Sequence, residues 1–407
     1  MLQDETATRL EPGPDTRGTL LSTLPPAEVL ARALASGSHL GASRRSSVLA
    51  SLSGVEGPLP ERYSEESVLG KGGMGVVVLA LDRDLGRSVA VKKLNVGKGE
   101  AATLDRFLRE AQVTAQLEHP GILPVYDLGA DESGRFYYVM RLVRGDRTLR
   151  RVIDQLKAGD AATLAELSFE RRVKLIQQVA QILSFAHAKG VIHRDVKPEN
   201  IMLGSYGEVY LVDWGLAKVS GAPEAPTIAA PLGAPSETAA GSLVGTPRYM
   251  SPEQADGQPA TPLSDVYSLS AVLYELLSLK HYMGTEQSGS IESLLQRVSK
   301  EEPVLAELHF DEKNGRVPRP LSRMANIGLA KNPANRFPSA RALEQALERW
   351  LEGELPVVCA VTLQLKLLSV WKRFLERHPA AAIFLALVLP AMLLVTVIAL
   401  AIFLVMR

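Results

Sequence analysis

From Ala380 to Met406 the chain is apolar on every side, with Thr396 the only polar side chain in the run. At about 1.5 Å per residue a helix over this run covers roughly 40 Å, more than the ~30 Å hydrocarbon core of a bilayer. Soluble helices keep a polar stripe, so a buried core helix is the weaker account of such a segment. Pro390 inside the run is tolerated better in a membrane helix than in a soluble one. Lys366, Lys372, Arg373, Arg377 and His378 precede the run, and Arg407 alone follows it. The positive-inside rule therefore places the long N-terminal part in the cytoplasm, with Trp371 and Phe374 at headgroup level. A cleaved signal peptide is excluded, because the run lies at the wrong end. The expectation is a single-pass, C-terminal anchor in the cell membrane, with the lipid bilayer as one partner.

Composition bounds the rest. The 407 residues carry 45 basic and 45 acidic side chains, and 46% are hydrophobic. That balance excludes a collagenous or wholly disordered chain. It provides no basic excess for a phosphate backbone, so no nucleic-acid partner is expected. One cysteine, Cys359, excludes an intrachain disulfide and a Cys-rich metal site.

Residues 1–62 are rich in Pro, Gly, Ser and Thr, with one short amphipathic patch at Ala27 to Ala35. Such a segment buries too little apolar area to offset ordering entropy, and reads as a disordered arm. Residues 63–353 are globular in composition. Val76 to Leu81 and Arg87 to Leu94 read as strands joined by a turn at Asp82 to Gly86. Thr103 to Leu117 has helical spacing and Phe136 to Val143 reads as a strand. Beyond Leu164 the pattern is mainly helical, at Arg171 to His187, Pro262 to Leu279 and Ser339 to Glu352. Strands first and helices later predict an α+β arrangement in two lobes. Residues 354–379 form a basic juxtamembrane segment, either lying on the membrane surface or packed on the globular part.

Gly70-Lys71-Gly72-Gly73-Met74-Gly75-Val76-Val77 fits G-x-G-x-x-G-x-V. Glycines let a backbone turn tightly and approach phosphate oxygens. A dinucleotide fold would open a helix at these glycines. Here a strand follows, which favours a hairpin lid over phosphates. Val89-Ala90-Val91-Lys92 is a strand ending in lysine, read either as an edge lysine in solvent or as a phosphate grip partnered by Glu110. The stretch Val191-Ile192-His193-Arg194-Asp195-Val196-Lys197-Pro198-Glu199-Asn200-Ile201-Met202-Leu203 is followed by Leu211-Val212-Asp213-Trp214-Gly215. Asp195 offers a carboxylate to orient an attacking hydroxyl and accept its proton. Lys197 offers charge to neutralise a transferring phosphoryl group. Asn200 and Asp213 are hard oxygen ligands suited to Mg²⁺. Two separated acids, an amide and two lysines are what in-line phosphoryl transfer requires.

With these motifs, residues 63–353 resemble the eukaryotic-like (Hanks-type) protein kinases, especially the bacterial membrane-bound Ser/Thr kinases. The resemblance extends through Gly245-Thr246-Pro247-Arg248-Tyr249-Met250-Ser251-Pro252-Glu253, Asp265-Val266-Tyr267-Ser268 and Lys331-Asn332-Pro333-Ala334-Asn335-Arg336-Phe337. It implies a bilobal kinase-like fold, with a β-rich N-lobe at 63–140 and a helical C-lobe at 141–353. It implies ATP with Mg²⁺, Mn²⁺ being an alternative ion, and protein substrates. Its nucleotide site would comprise Gly70, Lys71, Gly72, Gly73, Met74, Gly75, Val77, Ala90, Lys92, Met140 at the gatekeeper position, and Met202. Lys92 would pair with Glu110, Asp195 would be the base with Lys197 beside it, and Asn200 and Asp213 would bind metal. Asp265 would brace the catalytic loop, and Arg336 would pair with Glu253. Lys197 implies Ser/Thr specificity, and Thr246 would lie near the acceptor hydroxyl.

Arg194 before Asp195 implies control by phosphorylation of the loop from Val219 to Leu243. Thr238 is the leading candidate, Ser242, Thr227 and Ser236 weaker ones, with a homodimer for trans-autophosphorylation. Two departures stand out. Trp214 replaces the usual phenylalanine after the metal aspartate, which bears on the balance of active and inactive loop positions. Arg141 replaces a hinge residue that is often acidic. A membrane-tethered pseudokinase scaffold is the alternative, against which stand the retained Lys92, Asp195 and Asp213. His119 reads as a turn residue, His187 as a surface or packing histidine, and Cys359 as an apolar filler.

Overall fold

The computed structural model describes residues 62–354, apart from 74, 96–99, 132–133, 146, 220–246 and 285–289. The expected membrane span, the N-terminal arm, Cys359 and the loop candidates Thr227, Ser236, Thr238, Ser242 and Thr246 lie outside the described residues. Among the described residues no helix is long and apolar enough to cross a membrane.

The first lobe is an antiparallel sheet of β1 (Tyr63–Lys71), β2 (Gly75–Asp82), β3 (Arg87–Leu94), β4 (Val125–Ala130) and β5 (Phe136–Arg141), with helix α1 (Glu100–Gln116) inserted after β3. Its strand order is β1-β2-β3-β5-β4. Period-two alternation buries Val78 and Ala80 of β2 and Val89 and Val91 of β3, with Val139 and Tyr137 of β5, in one apolar layer. Gly86 at φ 60 turns β2 into β3. Gly75 starts β2 where a Cβ would lie 2.3 Å from the Lys93 carbonyl oxygen, so only glycine lets these strands close. On the other side Leu104, Phe107, Leu108 and Ala111 of α1 pack with Leu94 and Tyr138. The helix thereby hangs from the sheet and aims Glu110 at β3.

The second lobe opens with α2 (Leu149–Ala158), α3 (Ala161–Glu166) and α4 (Phe169–Ala188). Thr148, Asp160 and Ser168 cap their first turns, and Gly159 ends α2 at φ 75. Short strands β6 (Val191–Ile192), β7 (Ile201–Leu203), β8 (Val209–Leu211) and β9 (Lys218–Val219) follow. Then come the one-turn α5 (Pro252–Ala255), α6 (Pro262–Ser278), α7 (Ile291–Lys300), the small hairpin β10 (Phe310–Asp311) and β11 (Gly315–Arg316), α8 (Arg319–Gly328) and α9 (Ala340–Leu351). Thr261 and Ser264 form a capping box at α6, with Pro262 in its first turn. Every residue of α6 from Ser264 to Ser278 is buried. Its buried serines all find acceptors: Ser270 and Ser278 donate to the carbonyls of Val266 and Tyr274 one turn back, Ser268 to the Tyr249 carbonyl at 2.6 Å and Ser264 to Glu253 Oε1 at 2.6 Å. Gly328 lets α8 approach closely, since a Cβ there would strike the Ser270 side chain.

The architecture is thus a β-sheet N-lobe and a helical C-lobe. The strand at Phe136 stops at Arg141, two residues short of the sequence expectation. Helix α2 and strand β4 are additions to it.

Candidate active site

The site draws on the N-lobe sheet with α1 and on the C-lobe loops that surround β6 to β9, the catalytic loop being held from below by Asp265 of α6. Gly70 pairs with Val77 across β1 and β2, and Gly72 N–H donates to the Gly75 carbonyl at 2.8 Å. A Cβ on Gly70 or Gly73 would meet nothing within 4 Å, so these glycines border open space. Met74 lies outside the described residues.

Lys92 stands opposite Val77 and Tyr138 in the sheet. Its Nζ donates to Glu110 Oε1 at 2.6 Å and Oε2 at 2.8 Å. The Lys92 side chain is only 13% exposed, which disposes of the solvent-edge reading. Tyr138 donates its hydroxyl to Glu110 Oε1 at 2.7 Å. Burial pushes the Glu110 pKa up; Lys92 opposes this and the charge of Asp213 adds to it.

After β6 the chain turns on His193, which is fully buried. Its Nδ1 accepts from Asp195 N–H at 3.2 Å, so Nε2 carries the hydrogen facing the Val212 carbonyl at 3.1 Å. The ring lies edge-on to Trp214 at 4.6 Å. Asp265, at the start of α6, accepts the backbone N–H of His193 at 2.9 Å and of Arg194 at 2.8 Å. Its pKa is lowered although burial works in the opposite direction, because His187, His193 and these N–H groups favour the anion.

Lys197 Nζ donates to Asp195 Oδ2 at 2.6 Å. Asn200 Nδ2 donates to the Asp195 carbonyl at 2.8 Å and to Oδ2 at 3.1 Å, which leaves the amide oxygen as a ligand. Val212 N–H donates to the Asn200 carbonyl at 2.9 Å, tying Asp213 to the same corner. Arg194 and Asp213 both hold positive φ, at 71 and 66. Each such non-glycine residue costs about 1–3 kcal/mol and persists only where its surroundings enforce it. Asp265 grips the first, and the buried Trp214, donating its indole N–H to the Leu211 carbonyl at 3.1 Å, anchors the second. The donor set of Asn200 and Asp213 fits a Mg²⁺ ion, which takes one or two protein oxygens and completes its shell with phosphate and water.

Ala90 is buried and paired with Met140, which is half-buried like Val77 and Met202. Arg141 is exposed and lies over the Tyr210 ring at 5.6 Å. Glu253 of α5 and Arg336 form a buried bidentate pair, both contacts 2.8 Å. His119 accepts from Gly121 N–H on Nδ1 at 3.0 Å and holds a turn.

Sequence reasoning passed over two participants. His187, read from the sequence as a surface or packing histidine, does more than pack: its Nε2 lies 2.7 Å from Asp265 Oδ2, so it belongs to the brace. Its place in the last turn of the apolar helix α4 was the available signal. Gln254 donates from Nε2 to the Arg194 carbonyl at 3.1 Å, joining α5 to the catalytic loop. No local pattern marks it.

Residues 63–348 match the protein kinase domain family. The chain is 38% identical over 317 residues to the serine/threonine-protein kinase PknD of Protochlamydia amoebophila, a stretch covering 75% of this chain and 31% of that protein. It is 34% identical over 327 residues to PknD of Chlamydia trachomatis, covering 77% of this chain and 34% of the relative. The PknD of Chlamydia pneumoniae is 33% identical over 319 residues, covering 77% and 33%. The chain therefore spans about a third of the length of the curated relatives it matches. The glycine-bordered space, the paired Lys92 and the Asp195–Asn200–Asp213 corner lie within the matched residues, and the chain belongs to the protein kinase domain family.

Proposed function

We propose that this chain is a serine/threonine protein kinase that transfers the γ-phosphoryl group of ATP to Ser or Thr hydroxyls of proteins. The observation that carries the reading is a pair of built contacts: the Lys92 ammonium, 13% exposed, held on Glu110 of α1 at 2.6 Å, and Asp195 held by Lys197 at 2.6 Å and by Asn200 at 3.1 Å.

In this reading Asp195 orients the acceptor hydroxyl and takes its proton. Lys197, already on Asp195 Oδ2, neutralises charge on the group in flight. Glu110 keeps Lys92 extended toward the α- and β-phosphates, and the glycines at 70, 72, 73 and 75 admit those phosphates beneath the β1–β2 turn. Val77, Ala90, Met140 and Met202 supply apolar surface for the adenine ring. Asn200 and Asp213 would hold the divalent ion, Mg²⁺ or Mn²⁺, which when bound shields the phosphate charge. The printed names of the relatives support the Ser/Thr assignment.

The wider organisation belongs to the same proposal: an N-terminal arm, a cytoplasmic kinase domain, a basic collar at 354–379 and a membrane anchor at 380–406. Thr238 is the proposed autophosphorylation site, modified in trans within a homodimer.

The deciding experiment is phosphate incorporation into a protein acceptor with ATP and Mg²⁺. The wild type should be active, and Asp195→Asn and Lys92→Met should each be inactive while still folded, Asp195→Asn near the wild-type unfolding temperature and Lys92→Met below it because Glu110 loses its partner. Undiminished transfer by Asp195→Asn would refute the role of Asp195. Absence of transfer by the wild type would leave the pseudokinase scaffold. Vesicle flotation lost on deletion of residues 380–406 tests the anchor, and phosphopeptide mapping tests Thr238.

A further inference from the structure

Beside Asp195 the fold builds an acidic socket and fills it from within. Glu199 precedes Asn200 on the catalytic loop, Glu275 lies in α6, and Tyr249 lies in the turn that leads from residue 246 to Glu253. Arg150, in the first turn of α2, reaches all three. Its Nε donates to Glu199 Oε1 at 2.8 Å, and its two terminal nitrogens donate to Glu275 Oε1 at 3.0 Å and Oε2 at 3.1 Å. One of them also donates to the Tyr249 hydroxyl, which itself donates to Glu275. Lys157, two turns further along α2, donates to Glu275 Oε1 at 2.7 Å.

Glu199 and Glu275 thus meet Arg150 and Lys157, and the exposed Asp154, one turn along α2, lies 3.7 Å from Arg150 as a third carboxylate. Glu275 is nearly inaccessible, with 4% of its side chain exposed, whereas Glu199 keeps 46%. Burial disfavours the Glu275 anion, yet Arg150, Lys157 and Tyr249 hold its pKa at about 2. A guanidinium suits this task because its donors form a rigid planar fork, able to bind one carboxylate in two places while serving others. The contact joins the catalytic loop, the central helix and the segment on the acceptor side.

We propose that Arg150 is a positioning and specificity-determining residue: it fills the socket of Glu199, Glu275 and Tyr249, fixes the segment that receives the protein substrate against the catalytic loop, and closes the socket to basic side chains of that substrate. The inference rests on the kinase reading and extends it to substrate class. Acceptor sites are selected without a requirement for arginine or lysine beside the Ser or Thr, because Glu199 and Glu275, which would read such residues, are already partnered by Arg150 and Lys157.

The test uses the full chain with ATP and Mg²⁺ on serine peptides that differ only in arginine or alanine at each position before the acceptor. In the wild type the arginine-to-alanine ratio of kcat/KM should stay within about twofold throughout. In Arg150→Gln the peptide KM should rise roughly tenfold, the size expected for a lost charge-assisted contact, with the KM for ATP unchanged. Arginine peptides should then be favoured at one position, and millimolar guanidinium should lower the KM for the alanine peptide. Glu199→Gln, which leaves the buried Glu275 still paired with Arg150 and Lys157, should raise the peptide KM about threefold without creating an arginine preference. This second variant decides the matter should Arg150→Gln not fold. An active wild type that already prefers arginine strongly would overturn the inference alone. So would variants in which the KM values for ATP and peptide rise together, or in which neither changes. A wild type that binds ATP yet phosphorylates no protein would overturn the kinase reading and this inference with it.

Discussion

Replacing Arg336 by methionine should be among the most damaging single changes in the helical lobe. All five of its N–H groups are used: Nε donates to the Ala330 carbonyl, one terminal nitrogen to Glu253 Oε1 and the Leu263 carbonyl, the other to Glu253 Oε2 and the Lys331 carbonyl. The Arg336 side chain is fully buried and that of Glu253 is 8% exposed. Methionine fills much of the volume but offers no donor, so Glu253 loses the charged partner and keeps neutral donors such as the Ser264 hydroxyl at 2.6 Å. Removing one partner of a buried ion pair costs about 3–5 kcal/mol. At roughly 2–4 °C per kcal/mol for a domain of this size, the unfolding temperature should fall by on the order of 10 °C. The pair also has a pH signature. Burial pushes the Glu253 pKa up, but Arg336 and Ser264 outweigh it and the net shift is downward. A lowered folded pKa means that the unfolded chain binds the proton first. The stabilisation is therefore complete above the ordinary carboxylate range and lost as pH falls through the folded value. Thermal unfolding of wild type, Arg336→Met, Glu253→Gln and the double variant closes a cycle. The double variant should lose less than the sum of the single ones, and the acid limb assigned to Glu253 should vanish in Arg336→Met. A loss below about 1 kcal/mol for Arg336→Met, or full restoration by lysine, which cannot form the fork, would refute the reasoning.

Four further outcomes can be checked with the same protein. Gly75→Ala should destabilise by about 1–3 kcal/mol, because its Cβ meets the Lys93 backbone at 2.3 Å. Gly73→Ala, whose Cβ enters open space, should leave the unfolding temperature unchanged and raise the KM for ATP by roughly tenfold. His281 is buried against Tyr249 and Tyr282, and burial lowers its pKa to about 3. Between its ordinary value of 6.5 and about 3 the unfolded chain binds the extra proton, so stability should fall as pH drops through that window, and His281→Leu should lack this slope. Trp214→Phe should remain active but lose about 1 kcal/mol, the indole N–H bond to Leu211, measured by urea titration.

How much of this was legible in the sequence depends on distance along the chain. Asp195, Lys197, Asn200 and Asp213 lie in two adjoining strings, and their spacing alone pairs hard ligands with a base. The strands at Gly75–Asp82 and Arg87–Leu94 were visible because β-branched residues alternate within a few positions. Helix α2 carries Leu149, Val152, Ile153 and Leu156 on one buried face, a helical spacing present in the sequence but interrupted visually by arginines and an aspartate. Strand β4 reads VYDLGA, where Asp127 and Gly129 argue against a strand; it survives as an edge strand paired with β5 alone. The socket of Arg150 was not legible at all. Its partner Glu275 is 125 residues away, and no local pattern couples a surface-looking arginine to a glutamate in the most apolar helix.

That helix has a further consequence, in the language of hydrogen exchange. From Ser264 to Ser278 nothing on α6 faces water, so no partial opening at the surface can expose its amides. They should exchange only when the whole lobe comes apart, at the free energy of global unfolding. Asp265, which grips the loop carrying Asp195, sits on this slowest-exchanging element. The chemical centre therefore keeps its register for as long as the helical lobe stays folded.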